Sequence, residues 1–405
     1  MIKFERRETL PLFWFGNMKK YLIFLFLIFI LSCSWKNTTP KDWTILIYMA
    51  ADNSLSSAAV GDIAEMQEAN IPDNVNLIIQ ADFGPYNENP EARRFKIENN
   101  NLKTIKNLGE IDSGDYTELS DFISWGKEKY PADRSALIIW SHGNGWMAGY
   151  NKFCPDTQTG NFINITEGEL ASAFRDANSD FDILAFDACN MLSIEVVAEI
   201  DEYSDFILGS ERGVPQDGFP YDEILPHFWN YSDTNIISNV VIDSYVNSHM
   251  PYGSQNPHGD DYAVSGAVLC SAEFNQLQTK ISDFCNYNFT ASDIAEIFEI
   301  RDNIELEFND LHADVDLENL FSEIEKDVSN EDISVLCQAI LDQIELSFSV
   351  QYFHDGQYPN VSAGSASIWF PENPDTYKYL SADYNNLSFP NTTNWSNFIS
   401  YFFAE

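Results

Sequence analysis

Basic residues are scarce in this chain: 22 Lys and Arg stand against 63 Asp and Glu in 405 residues, a formal charge of −41. A surface of that sign repels nucleic acid and anionic membranes and attracts cations and basic partners. No basic patch is present to follow a phosphate backbone, so nucleic-acid binding is excluded. Cysteine is also sparse. The six residues form no C-x-x-C pair and no Cys/His cluster at zinc spacing, which excludes a zinc ribbon or finger. There is no internal repeat, no heptad pattern, no phosphate-binding glycine-rich loop and no D-x-D-x-D-G calcium loop. What is present, 44% hydrophobic residues with 14% aromatics, belongs to a well-packed globular protein.

The N-terminal apolar stretch is too short to span a bilayer. Met18–Cys33 begins with Lys19 and Lys20, continues with eleven apolar residues from Tyr21 to Leu31, and closes on Ile30-Leu31-Ser32-Cys33. This has the layout of a signal peptide ending in a lipobox like that of bacterial lipoproteins. The expectation is initiation at Met18, removal of residues 1–32, a lipid on Cys33 and a polar tether over 33–42. The location is then the bacterial cell envelope, facing the periplasm or the surface. Residues 1–32 carry five basic and two acidic residues, so the remainder has a charge of −44. Five cysteines follow Cys33. An odd count in an oxidising compartment leaves at least one thiol unpaired, although all five could equally be reduced and buried.

Apolar runs with little alternation, "WTILIYMA" (43–50), "VNLIIQAD" (75–82), "ALIIWSHG" (136–143), "FDILAFDAC" (181–189) and "SDFILGSE" (204–211), read as strands buried on both faces. Helical patterns over 54–69, 115–130 and 165–178 separate them, the last opened by a Thr166/Glu169 capping box. "RRFKIENNNLKTIKNL" (93–108) reads as a hairpin around an Asn-rich turn. The alternation predicts an α/β fold, a mostly parallel sheet flanked by helices, over 43–258. A C-terminal α+β subdomain covers 259–405.

In such sheets function collects at the carboxyl ends of the strands. There lie Asp52-Asn53, Asp82, Ser141-His142, Asp187 with Cys189, and Ser210-Glu211. His142 and Cys189 end successive buried strands, 47 residues apart with His first, a spacing close to that of caspase-type cysteine peptidases. Cys189 precedes the helix-like "MLSIEVVAEI". A helix N-terminus and a neighbouring imidazolium would favour the thiolate nucleophile. His142 would protonate the leaving amine. Gly143, with no Cβ, and the Cys189 N–H would form the oxyanion hole.

The segments "WTILIYMAADNSL", "GDYTELSDFISWGKEKYPADRSALIIWSHGNGW", "FDILAFDACNMLSIEVVAEI", "DFILGSERGVPQDGFPYDEIL" and, more loosely, "SASIWFP" and "NWSNFISYF" resemble the clostripain family of cysteine peptidases. That family shares a caspase-like fold with gingipains, legumains and separases. The resemblance implies a His142–Cys189 dyad with no required third member. It implies an S1 pocket with Asp187 at its base, selecting Arg or Lys at P1. Asp187 is also placed by its own logic, as an acid two residues before the nucleophile that can pair with a substrate cation. Asp217, in "PQDGFPY", is either a second pocket acid or a turn residue before Gly218. Several relatives cut themselves between the two catalytic strands. Between 143 and 188 the basic residues are Lys152 and Arg175; Arg175 falls in a helix, leaving Lys152 as the cut point if processing occurs.

The expected activity is therefore an endopeptidase acting on peptides or proteins with Arg or Lys at P1, tethered to the membrane by lipid. The rival is a catalytically idle surface lipoprotein that binds basic peptides in the same pocket. No cofactor is required on this reading. Calcium supports some relatives, but no contiguous ligand loop is present here. Cys154, Cys270, Cys285 and Cys337 read as packing or disulfide residues.

Overall fold

A computed structural model describes residues 40–85, 87–148, 152–304, 313–354 and 364–403. The predicted signal segment and Cys33 lie outside the described residues. Strand β1 (Lys41–Ala51) is buried from Trp43 onward and lies in the interior of the sheet. Its side chains alternate: Leu46, Tyr48 and Ala50 pack into one core, and Trp43, Ile45, Ile47 and Met49 into the core on the other face. Burial on both faces explains why the run is apolar throughout instead of every second residue.

On one side of β1 lies β2 (Val75–Phe83), parallel to it, followed by the antiparallel hairpin β3 (Ala92–Glu98) and β4 (Asn101–Gly109). Asn99 and Asn100 turn that hairpin with φ of 51° and 60°, the left-handed pair that a two-residue type I′ turn requires and Asn tolerates. β4 forms one margin of the sheet, is largely exposed, and pairs with β3 through two register irregularities. On the other side of β1 come β5 (Ala132–Trp140), β6 (Phe181–Asp187) and β7 (Ser204–Gly209), all parallel. β8 (Val264–Cys270) and β10 (Phe348–His354) then close the sheet in antiparallel fashion, with strand order β10-β8-β7-β6-β5-β1-β2-β3-β4. The parallel character resides in the central five strands. Residues beyond 258 thus extend the same sheet, while β9 (Asp314–Asp316) and β11 (Ser367–Trp369) form a separate antiparallel pair.

Three local expectations change. The helix over 165–178 is a 3₁₀ turn (Ile165–Glu167) followed by an α-helix (Glu169–Ala177). Its cap is Asn164, whose side chain accepts the Thr166 N–H, while Glu169 reaches back to the Asn164 N–H at 2.7 Å. The capping box is shifted because Asn164, not Thr166, has the extended conformation. The helix after Cys189 begins at Ile194, capped by Ser193. Asn190 takes a left-handed conformation (φ 59°) and the chain runs on as a loop before that cap. Cys189 therefore does not sit at a helix N-terminus. Last, Cys154, Cys189, Cys270, Cys285 and Cys337 are all free thiols, so the packing role holds and the disulfide role does not.

Candidate active site

The paired register of β5 and β6 sets Trp140 beside Asp187. One residue on, the Ser141 N–H donates to the Asp187 carbonyl at 3.2 Å. The chain ends that carry His142 and Cys189 therefore emerge side by side. Gly143 sits so close to them that a Cβ there would collide with the Cys189 carbonyl oxygen and stand 2.9 Å from Met191 Cγ and Sδ. Close backbone packing is thus a second reason for glycine at 143, beside the approach of its N–H.

His142 is half-buried, and its Nε2 lies 2.9 Å from Ser54 Oγ. Desolvation lowers its pKa, favouring the neutral ring. Beneath it, the Cys154 N–H donates to the His142 carbonyl at 3.2 Å. The Cys189 thiol receives the Val214 N–H at 3.2 Å. Burial pushes that thiol upward, the Val214 hydrogen bond partly offsets it, and Asp187 adds a smaller upward push. The thiolate expected next to an imidazolium is therefore disfavoured at rest, because burial acts against both charged forms.

Asp187 lies on the buried wall of the same strand, 4% exposed. Its Oδ2 accepts the Phe219 N–H (3.2 Å) and the Tyr221 hydroxyl (2.9 Å), yet desolvation still pushes its pKa up to about 6. Gly218, at φ +57°, packs against this carboxylate so tightly that a Cβ would be 2.9 Å from Oδ2. The structure thereby brings the 215–219 turn onto Asp187, with the Asp217 side chain exposed at its tip. His249 Nε2 stands 2.8 Å from the Gly218 carbonyl and holds that turn from below.

Sequence reasoning missed Ser54, Asp62, Val214 and Tyr221. Asp62 is buried in the helix Ser56–Glu68 and accepts the Trp140 indole N–H at 2.6 Å. Burial first, then repulsion from Asp187, pushes it up to about 9, which keeps it neutral. Its signal was available: Ala59, Asp62, Ile63 and Met66 share one buried helix face, where an acid is anomalous. Beside Ser54, a cleft of about 670 Å³ opens between that helix and β2–β4, lined by Val60, Ile63, Phe83, Phe95 and Leu102 among others. Its lining includes Ser54, the neighbour of His142, but neither His142 nor Cys189.

Lys152 stands at the head of the 152–161 segment, its Nζ 4.2 Å from the Phe162 ring centre. Phe153 and Cys154, just beyond it, are buried, and the Phe153 carbonyl accepts the Ile163 N–H at 3.0 Å. A third feature is acidic. Asp52, Glu110 and Asp156 bring carboxylate oxygens within 4.8 Å of one another at the ends of β1 and β4 and in the 152–161 segment.

The clostripain family model matches residues 47–402. Clostripain from Hathewaya histolytica is 29% identical over 239 residues, 50% of this chain and 45% of that protein. The chain thus spans about half the length of that curated relative. A secreted C11 cysteine protease from Bacteroides thetaiotaomicron, solved in complex with an irreversible peptide inhibitor, superposes with TM-score 0.68 at 24% identity, covering 88% of this chain and 99% of that one. An inactive zymogen C11 protease from Parabacteroides distasonis gives 0.67 at 23%, covering 88% and 99%. These likenesses establish the fold.

Proposed function

The chain belongs to the clostripain family of cysteine peptidases, and on that premise we propose that it is an endopeptidase cleaving after Arg or Lys. The observation that carries this reading is the pairing of β5 with β6, which sets the His142 and Cys189 chain ends together above a buried Asp187. Because both groups rest neutral, the thiol proton passes to His142 as Sγ bonds to the scissile carbonyl carbon. The carbonyl electron pair moves to oxygen, where the Gly143 and Cys189 N–H groups stabilise it. Collapse expels the amine, protonated by His142, and leaves a Cys189 thioester. Water then attacks, giving a proton to His142, and the acid departs as the thiol reforms. Val214 releases Sγ when substrate arrives.

Asp187 pairs with the P1 cation at the pocket floor, and exposed Asp217 adds attraction at the rim. The cleft beside Ser54 offers apolar surface to a neighbouring substrate side chain. Among the described residues no helix is long and apolar enough to cross a membrane. We place the enzyme at the cell envelope through lipid on Cys33. If the chain processes itself, it cuts after Lys152. That cut requires Phe153 and Cys154 to leave their buried positions first, so processing is slow or follows local opening.

The test is hydrolysis of Arg, Lys, Asp, Asn and Leu P1 reporters by residues 34–405 beside Cys189→Ala, with intact mass recorded for both. Cleavage confined to Arg and Lys, lost by on the order of 10⁴-fold or more in the variant, supports the reading. A mass step at Lys152 in the parent alone supports self-processing, and a single intact, fully active chain overturns it. Binding of basic peptides without any cleavage would turn the assignment to an idle peptide-binding lipoprotein.

A further inference from the structure

The cleft beside Ser54 differs in chemistry from the rest of this surface. The chain carries a formal charge of −41, yet the described lining of the cleft holds one acid, Glu88, and one base, Arg93. Its walls are apolar: Val60 and Ile63 come from the helix Ser56–Glu68, and Phe83, Phe95 and Leu102 from β2–β4. Val60 is 51% exposed, among solvent-facing Ser57, Gly61 and Glu68 on the same helix. Arg93 braces the opposite wall. Its guanidinium carbon lies 5.6 Å and 5.7 Å from the Phe83 and Phe95 ring centres, and Nη2 donates to the Asn89 carbonyl at 2.6 Å. An apolar recess of about 670 Å³ has room for an aromatic or long aliphatic side chain.

Strand order fixes where this recess stands relative to the reacting atoms. The sheet runs β7-β6-β5-β1-β2 across its centre. Along the carboxyl edge that order gives the 215–219 turn on Asp187, then Cys189, then His142, then Ser54, and then the cleft. The helix Ser56–Glu68 stands between the two recesses. Glu65 accepts the Tyr221 N–H at 3.1 Å on the Asp187 side, while Val60 and Ala64 line the cleft on the other. His142, as general acid of the proposed mechanism, must face the departing amine. The amine half of the substrate therefore lies toward Ser54 and the cleft, and P1 toward Asp187. Two strand spacings of about 4.8 Å separate β6 from β1, a distance that an extended peptide covers in about three residues.

We infer that this cleft binds a large apolar side chain on the leaving-group half of the substrate, at the second or third residue after the scissile bond (P2′ or P3′). The inference rests on the peptidase reading above and adds a second specificity element to it, one set by burial instead of charge. Apolar walls would strip the hydration of a charged side chain. Glu88 further disfavours an acid there, and Arg93 a base. A substrate is then recognised on both sides of the bond it loses, by a cation at Asp187 and by an apolar group beyond Ser54.

The test uses the full chain and internally quenched peptides with Arg fixed at P1 and Phe, Leu, Ser, Asp or Lys placed in turn at P2′ and at P3′. At one of these positions kcat/KM for Phe and Leu should exceed that for Ser, Asp and Lys by about tenfold or more, the return from burying a large apolar side chain. Val60→Asp should abolish that preference. Val335→Asp, the same change at an exposed site on the helix Glu331–Ser347, should keep it. The readout is a ratio within each protein, so a general loss of folding or activity does not imitate it. Equal rates across the panel, or a preference that survives Val60→Asp, would overturn the inference and leave the P1 reading standing. If no peptide is cleaved, the same panel is titrated into Cys189→Ala by fluorescence anisotropy. Tighter binding of the Phe and Leu peptides, lost on adding Val60→Asp, would uphold the cleft and overturn the peptidase reading. Binding indifferent to P2′ and P3′ would overturn both.

Discussion

Two groups of acids sit on the same carboxyl edge of one sheet and are treated in opposite ways. At the ends of β5 and β6, Asp187 is supplied with a hydroxyl and a backbone N–H, and Asp62 with an indole N–H. At the ends of β1 and β2, Asp52 and Asp82 make no side-chain hydrogen bond of good geometry among the described residues. A partnered acid keeps its geometry while empty and needs only an organic cation at its remaining face. One chain with a great excess of acid therefore buries it in two kinds of setting, and hydrogen bonding, not charge, separates them.

The largest expected effect separates the two groups by substitution. On the proposed reading, Asp187→Asn should lower kcat/KM for Arg and Lys reporters by about 10²–10³-fold, as expected for removing one partner of a buried charge pair; an unchanged kcat/KM would remove the difference between the two groups. Gly143→Ala comes next. The new Cβ meets the Cys189 carbonyl and Met191, and a shift of about 1 Å at the proposed dyad would cost about 10²-fold in kcat; steady-state kinetics with an unchanged Tm would confirm that the damage is local.

The mildest probe is pH. On the proposed reading, Asp187, pushed up to about 6, must be ionised to hold a P1 cation. Log kcat/KM for basic substrates should fall below about 6, and in Asp187→Asn only the fall caused by protonation of His142 should remain. The linked stability has the opposite sense. Between 3.8 and about 6 the folded chain retains a proton that the unfolded chain releases, so the contribution of Asp187 to stability declines as pH rises through that window.

The sequence made the central strands, the β3–β4 hairpin and the positions of His142, Cys189 and Asp187 legible, because each depends on local pattern: unbroken apolar runs, an Asn-Asn turn, polar residues where a strand stops. What it concealed depends on distant partners. Thr166 and Glu169 match a capping box, yet backbone conformation gave the cap to Asn164. "MLSIEVVAEI" is helix-like in composition, but Ser193 delays its start and removes the helix end from Cys189. The grouping of Asp52, Glu110 and Asp156 was invisible because its acids come from separate segments, and no spacing rule connects residues 52, 110 and 156. Ser54 is a common residue in a common turn, and only the approach of β1 to β5 gives it His142 as a neighbour.

The outermost strand carries a different lesson. β4 offers unpaired backbone groups along one margin of a nine-stranded sheet, the kind of surface on which a second molecule could add a strand. In a chain with so few basic residues, Lys103 and Lys106 are both spent there, and the paired strand slips register twice along its length. Charge and irregular register together make that margin a poor template for sheet growth.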